Sequence, residues 1–100
     1  MLPEEKIREF LESGDVLVDK YRLAIMLFLS LKRKARFKEI ADGLQLSAGN
    51  LAHHLKILEE RRYVKIDKPL SDLRTRIISI TPDGYQALAS FLAKLKGITI

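Results

Sequence analysis

The chain contains no cysteine and no tryptophan. Without thiols there is no disulfide, no thiolate zinc site and no thiol redox sensor, so the fold must be held by its apolar core. Proline and glycine are scarce, at three and five of 100 residues, which leaves long segments free of helix breakers. Long hydrophobic runs are missing as well. The longest, from Leu23 to Leu31 and broken by Ser30, falls well short of the roughly 20 residues that span a bilayer. The opening "MLPEEKIREFLESGD" is acidic and interrupted, unlike a signal peptide, so an intracellular, cytoplasmic protein with no membrane partner is expected.

What is present is a 47% apolar composition and a net charge of +5. That length corresponds to one domain, residues 1–100, with a modest core. The charge is unevenly spread. Residues 1–31 carry four basic and six acidic side chains, residues 32–76 carry twelve and six, and the last 24 carry two and one. The positive excess is confined to the middle, which points to a polyanion-facing side rather than to general solubility.

Periodicity orders the elements. Pro3 suits a first helical turn, Ile7, Phe10 and Leu11 form a stripe, and Ser13-Gly14 ends it. Asp19 can cap a second helix to Leu31 whose residues 23–29 are apolar on every side, predicting a buried central helix. The run "KRKARFK" follows, five of its seven residues basic. Phe37, Ile40, Ala41 and Leu44 then have helical spacing, with Gly43 and Gln45 closing the helix. Ser47 caps another, running to about Arg61, after a gap of a few residues that is the spacing of a helix-turn-helix. Alternation of Val64 and Ile66 with polar neighbours, then "RTRIISI", predicts a hairpin around "KPLSDL". Thr81-Pro82 opens a last helix, with Gly97 as its stop. The expected class is mainly α with a small β-sheet.

His53 and His54 are the only histidines. On a wheel at ~100° per residue with Leu51 at zero, Leu55 and Leu58 fall within about 40° of it, His54 at about −60° and His53 at about 200°. The two rings therefore diverge, whereas a shared metal needs a spacing such as i, i+4. No metal, cofactor or catalytic constellation is expected. His54 reads as a hydrogen-bonded ring at the core edge. His53 projects outward beside Gly49, Ala52 and Lys56, and the small residues among these admit a close partner surface. Asn50 lies near the amino end, where a helix set in a major groove presents side chains to bases; asparagine pairs bidentately with adenine.

These residues carry a resemblance. "LSAGNLAHHLKILEERRYVKI" and "RTRIISITPDGYQAL" resemble the winged helix-turn-helix of the MarR/ArsR-like transcriptional regulators over roughly residues 16–96. The marks are Leu46-Ser47 opening a helix, His54-Leu55 within it, Leu58-Glu59-Glu60 near its end, and Thr81-Pro82 with Gly84. The resemblance implies a recognition helix at 47–61 in the major groove, a wing at 63–81 on the backbone or minor groove, and a short third strand at 35–37. Helices at 1–14 and 82–98 are extra. Three departures stand out. Arg62 occupies the place of the glycine that usually follows the recognition helix, so a different turn is expected there. The wing tip lacks glycine and carries Asp72. The cysteines of metal-sensing relatives are absent.

The functional expectation is a sequence-specific regulator that binds double-stranded DNA; no effector can be named. Lys32, Arg33, Lys34, Arg36, Lys38, Lys68, Arg74 and Arg76 would dock on phosphates, with Ser47, Gly49, Asn50, His53 and Lys56 at the bases. A homodimer is expected through Ile7, Phe10 and Leu11 of the first helix and Ala87, Phe91 and Ile98 of the last, which extend its apolar arc beyond the stripe Tyr85, Leu88, Ala89, Leu92 and Leu95. The competing reading is a winged-helix protein-interaction module.

Overall fold

Local capping decides where the helices begin. In a computed structural model, which describes residues 2–67 and 75–98, α1 (Pro3–Glu12) starts on its proline and ends before Gly14, whose φ of 68° turns the chain. Asp15 accepts from the Leu17 N–H at 2.9 Å and opens a short 3₁₀ turn, Val16–Val18, which buries Leu17 completely. The sequence pattern does not reveal this turn. Asp19 Oδ1 accepts from the N–H groups of Tyr21 (2.8 Å) and Arg22 (3.1 Å), capping α2 (Lys20–Lys32).

The strand β1 (Lys34–Arg36) leads directly into α3 (Phe37–Leu44). Gln45, at φ 56°, closes α3 with N–H bonds from Gln45 to Asp42 and from Leu46 to Ala41. Three residues later α4 (Ala48–Glu60) starts on Ser47, whose Oγ accepts from the Asn50 N–H at 3.1 Å. That tight connection makes α3 and α4 the helix-turn-helix.

The end of α4 corrects one expectation. Arg62 takes the left-handed conformation after all, at φ 62°. Its N–H donates to the Glu59 carbonyl (2.9 Å) and the Tyr63 N–H to that of Leu58 (3.0 Å). This is the paired bonding of a Schellman turn, built on arginine where glycine would cost less strain.

Strands β2 (Val64–Asp67) and β3 (Ile77–Ile80) complete an antiparallel sheet in the order β1-β3-β2. Ala35, Ile78 and Val64 point inward; Lys34, Ser79 and Lys65 align on the outer face. The last helix, α5 (Pro82–Ile98), passes through Gly97 rather than stopping there. Thr81 Oγ1 caps it by accepting from the Gly84 N–H at 2.9 Å.

The core joins Ile25, Met26 and Leu29 of α2 to Phe37 and Ile40 of α3, Leu51, Leu55 and Leu58 of α4, Ile78 of β3, and Leu88 and Phe91 of α5. Two helices are seated differently from their sequence patterns. Helix α2 buries one side only, leaving Leu27 and Leu31 exposed, the latter 86%. Helix α5 is rotated: Gly84, Leu88 and Phe91 face inward, while Tyr85, Ala89 and Leu92 are outside. The cause is Gly84, where an added β-carbon would collide with the Tyr63 carbonyl oxygen. Only an inward glycine permits this approach, and the residues one and two turns on follow it inward. Phe91 is therefore no outward-facing contact. It is buried and packs on Phe10 of α1, ring centroids 5.7 Å apart.

Candidate nucleic-acid interface

The outer face of α4 begins at its capped amino end. Ser47, Gly49 and His53 are exposed there. No atom of the described residues lies within 4 Å of where a Gly49 β-carbon would stand, so the helix is open there to a close-approaching surface. Lys56, also exposed, borders a cleft of about 300 Å³ between α4 and the sheet. Ala52, Leu55 and Glu59 line it from the helix; Phe37, Ile66 and Arg76 line it from the other side. Arg76 is half-buried, and its Nε is enclosed without a hydrogen-bond partner among the described residues. Asn50 is more withdrawn than the wheel suggests, half-buried with its Oδ1 enclosed and unpartnered among the described residues.

Beneath this face the histidines part company. His54 is only 8% exposed, and Arg22 Nη1 donates to its Nδ1 at 3.0 Å. Tyr21 stacks on it at 5.4 Å, and Asp19 Oδ1 lies 3.9 Å from Nδ1. Burial holds the imidazole pKa below its usual value; Asp19 opposes that shift and Arg22 adds to it. The neutral ring is the acceptor that Arg22 requires. Arg22 also donates from Nε to the Val16 carbonyl at 2.7 Å, so one guanidinium ties the 3₁₀ turn and α2 to the recognition helix. His53 keeps an edge-on contact with His54, centroids 4.9 Å apart, but its ring is exposed. The sequence pattern identifies neither Arg22 nor Asp19 as support for α4, because the contact spans 32 residues.

The basic side chains are spread along the sheet, and Lys34 and Arg36, alternate residues of β1, share its outer face and line one shallow hollow with Glu39 and Ile77. Arg36 and Lys38 bracket the start of α3, and Lys38 pairs with Asp42 at 2.9 Å. Arg36 faces Ile77, at the start of β3. Lys32 ends α2 with its ammonium over the Phe28 ring (5.4 Å), while Arg33 stands at the Ile80 end of the sheet. Lys68 and Arg74, expected at the wing tip, lie outside the described residues.

A capped helix-turn-helix, preceded by one strand and followed by two that join it in a three-stranded antiparallel sheet beside the second helix, is the winged helix-turn-helix architecture. The chain belongs to the winged helix DNA-binding domain family, whose model matches residues 21–99. It is 33% identical over 75 residues to an uncharacterized protein of Methanocaldococcus jannaschii, covering 74% of this chain and 82% of that one. It superimposes on the transcriptional regulator homologue of Pyrococcus horikoshii OT3 with a TM-score of 0.83 and 35% identity, over 94% of this chain and 93% of that one. Staphylococcus aureus MarR shares the fold, with a TM-score of 0.69 and 16% identity over 80% of this chain and 53% of that one. The resemblance seen in the recognition-helix and wing segments is thus to the correct fold.

Proposed function

We propose that the protein is a DNA-binding transcriptional regulator of the MarR-like winged-helix type. Its α4 enters the major groove by the amino-terminal half, and the wing follows the neighbouring backbone. The observation that carries this reading is the outer face of α4: exposed Ser47, Gly49 and His53 beside Lys56, at the end of a helix pinned from below by Arg22. Lys56 and Arg76 flank the cleft between helix and wing, where they approach a phosphate or base edge together.

Selection of bound fragments from random duplex DNA supplies the test site. Replacing His53 and Lys56 together by Ala should leave the unfolding midpoint unchanged, since both are exposed. Specific binding should weaken by about 1–3 kcal/mol for each base-edge hydrogen-bonding group removed. Affinity should also fall steeply between low and moderate salt, as phosphate contacts require. Binding insensitive to both changes would favour the protein-interaction reading instead.

A homodimer places two α4 helices on half-sites about one DNA turn apart. With Phe91 inside, the surface for a second copy is narrower than the sequence suggests. It consists of Ile7 and Leu11 on α1, exposed 48% and 68%, with Leu92 of α5 at 39%. Phe10, Ala87 and Ile98 are half-buried and contribute edges. Light scattering at micromolar concentration should give twice the 11.5 kDa chain mass, and Leu92→Glu should return it to the monomer value. A wild-type monomer, or a dimer indifferent to Leu92→Glu, excludes this interface.

A further inference from the structure

Two residues in the left-handed region, Arg33 (φ 69°) and Arg62 (φ 62°), are arginines at helix ends. Glycine would take these angles without steric cost. Persisting backbone strain of this kind signals a side chain with work to do. Both arginines are exposed, and among the described residues neither forms an ion pair. Distant in sequence, they hold the same end of the sheet. The Arg33 carbonyl accepts from the Ile80 N–H (3.0 Å) and the Arg62 carbonyl from the Thr81 hydroxyl (2.7 Å).

The register adds two lysines. Lys34 and Lys65 both sit opposite Ser79, one on each side of β3, and both are exposed. Lys65 has a loose partner in Asp67 at 3.9 Å. Arg61, exposed at the cap of α4, is the fifth cation.

This end lies opposite the end that would read DNA. Strand β2 runs back along α4: Ile66 shares the cleft with Ala52 and Lys56, whereas Tyr63 bonds to the carbonyl of Leu58 near the helix end. Asp67 and Ile77 pair at the far end of the strands. The amino-terminal half of α4 and the Asp67–Ile77 end of the sheet therefore lie on one side, and the five cations gather toward the other.

We infer that this cluster is a second polyanion site, which takes the phosphate backbone of a second DNA duplex while α4 and the wing hold the first. One protein then bridges two DNA segments. The inference rests on the DNA-binding reading above. Lys34 and Lys65 stand two strand spacings apart, roughly 10 Å, on an open face. A line of charge along the sheet suits a rod of repeating phosphates better than a single small anion.

The test is a bridging assay with the full chain. A biotinylated duplex carrying a selected site is captured on beads, and a second, fluorescent duplex is offered with protein. The wild type is compared with a variant carrying Arg33→Gly, Lys34→Gln, Arg61→Gln, Arg62→Gly and Lys65→Gln. Glycine adopts the existing angles at 33 and 62, so the unfolding midpoint should match or exceed the wild type. Arg33 and Lys34, expected from the sequence to dock on the first duplex, are reassigned to the second. The variant should therefore bind the first duplex within about twofold of wild type and capture the second about tenfold less. Bridging that persists in the variant overturns the proposal. So does a wild type that binds one duplex but never a second, or a second site that takes polyglutamate in preference to duplex. A variant that loses first-duplex affinity in proportion also overturns it, by placing these cations in the first footprint. A wild type that binds no duplex at all defeats the DNA-binding reading itself, and the second site with it.

Discussion

Gly84→Ala is expected to destabilise the protein by about 3 kcal/mol, at the upper end for overpacking, and to lower its melting temperature by roughly 12–24 °C. Gly84 is buried, and a β-carbon there would run into the Tyr63 carbonyl oxygen and come within 3.0 Å of Ile80 Cγ1. The obstruction is backbone, which cannot turn aside as a flexible side chain can. The same carbonyl accepts from the Thr81 N–H and from Thr81 Oγ1, each at 3.1 Å. Moving it would disturb the Schellman turn that ends α4, the start of β2 and the cap of α5 together. A loss of this size is a large part of the stability of a domain this small, about 5–15 kcal/mol in all. Gly49→Ala is the matched control. Nothing lies within 4 Å of its added methyl, and alanine favours a helix by about 0.5–1 kcal/mol over glycine. Urea or thermal unfolding of the two variants separates the cases; equal midpoints for Gly84→Ala and wild type would show that α5 does not seat against Tyr63.

Arg22→Leu should cost about 2 kcal/mol at pH 7, because it strands the Val16 carbonyl and His54 Nδ1 without their charged donor. It should also alter the response to acid. The His54 pKa lies below its ordinary 6.5 in the folded protein. As pH falls, the unfolded chain takes up that proton first. The stability tied to the neutral ring is therefore whole above about pH 6.5 and is lost as pH falls towards the folded value. Asp19 acts in a lower window. Burial alone would raise its carboxyl, but the N–H bonds from Arg22 and Tyr21, with the Arg22 charge, outweigh burial and hold it below 3.8. Its contribution persists above that value and fades beneath it. In the variant the Arg22 charge no longer opposes protonation of His54 while Asp19 still favours it, so the loss between pH 7 and 5 should be shallower than in the wild type. Unfolding in urea at pH 5, 6, 7 and 8 measures both effects. A variant equal to wild type at pH 7, or with an unaltered acid slope, would mean that Arg22 does not pin the recognition helix.

Much of this architecture is legible in the chain because its signals are local. Asp19, Ser47 and Thr81 each accept from an N–H two or three residues ahead, so each helix start is written in a few adjacent side chains. Leu51, Leu55 and Leu58 share a face by spacing alone, and they are the buried leucines of α4. The switch to alternation after Tyr63 marks β2 for the same reason. Spacing states which residues share a face; it does not state which neighbour that face meets. The rotation of α5 was decided by contact between Gly84 and a carbonyl 21 positions earlier, and that rotation carried Phe91 inward onto Phe10. The basic run from Lys32 to Lys38 reads as one patch, yet a strand divides its faces, setting Lys34 and Arg36 side by side outside, Ala35 inside, and Arg33 beyond the strand at the Ile80 end of the sheet. Arg62 could adopt the glycine-like turn because the bonds to Leu58 and Glu59, and the hydroxyl of Thr81, hold it there against its strain. The sequence by itself determined the helices, the strands and the face of α4 that opens outward, through short-range hydrogen bonding and period. The tertiary structure alone decided how α5 is turned, what supports His54 and where the cations gather, because those depend on contacts between segments that only folding brings together.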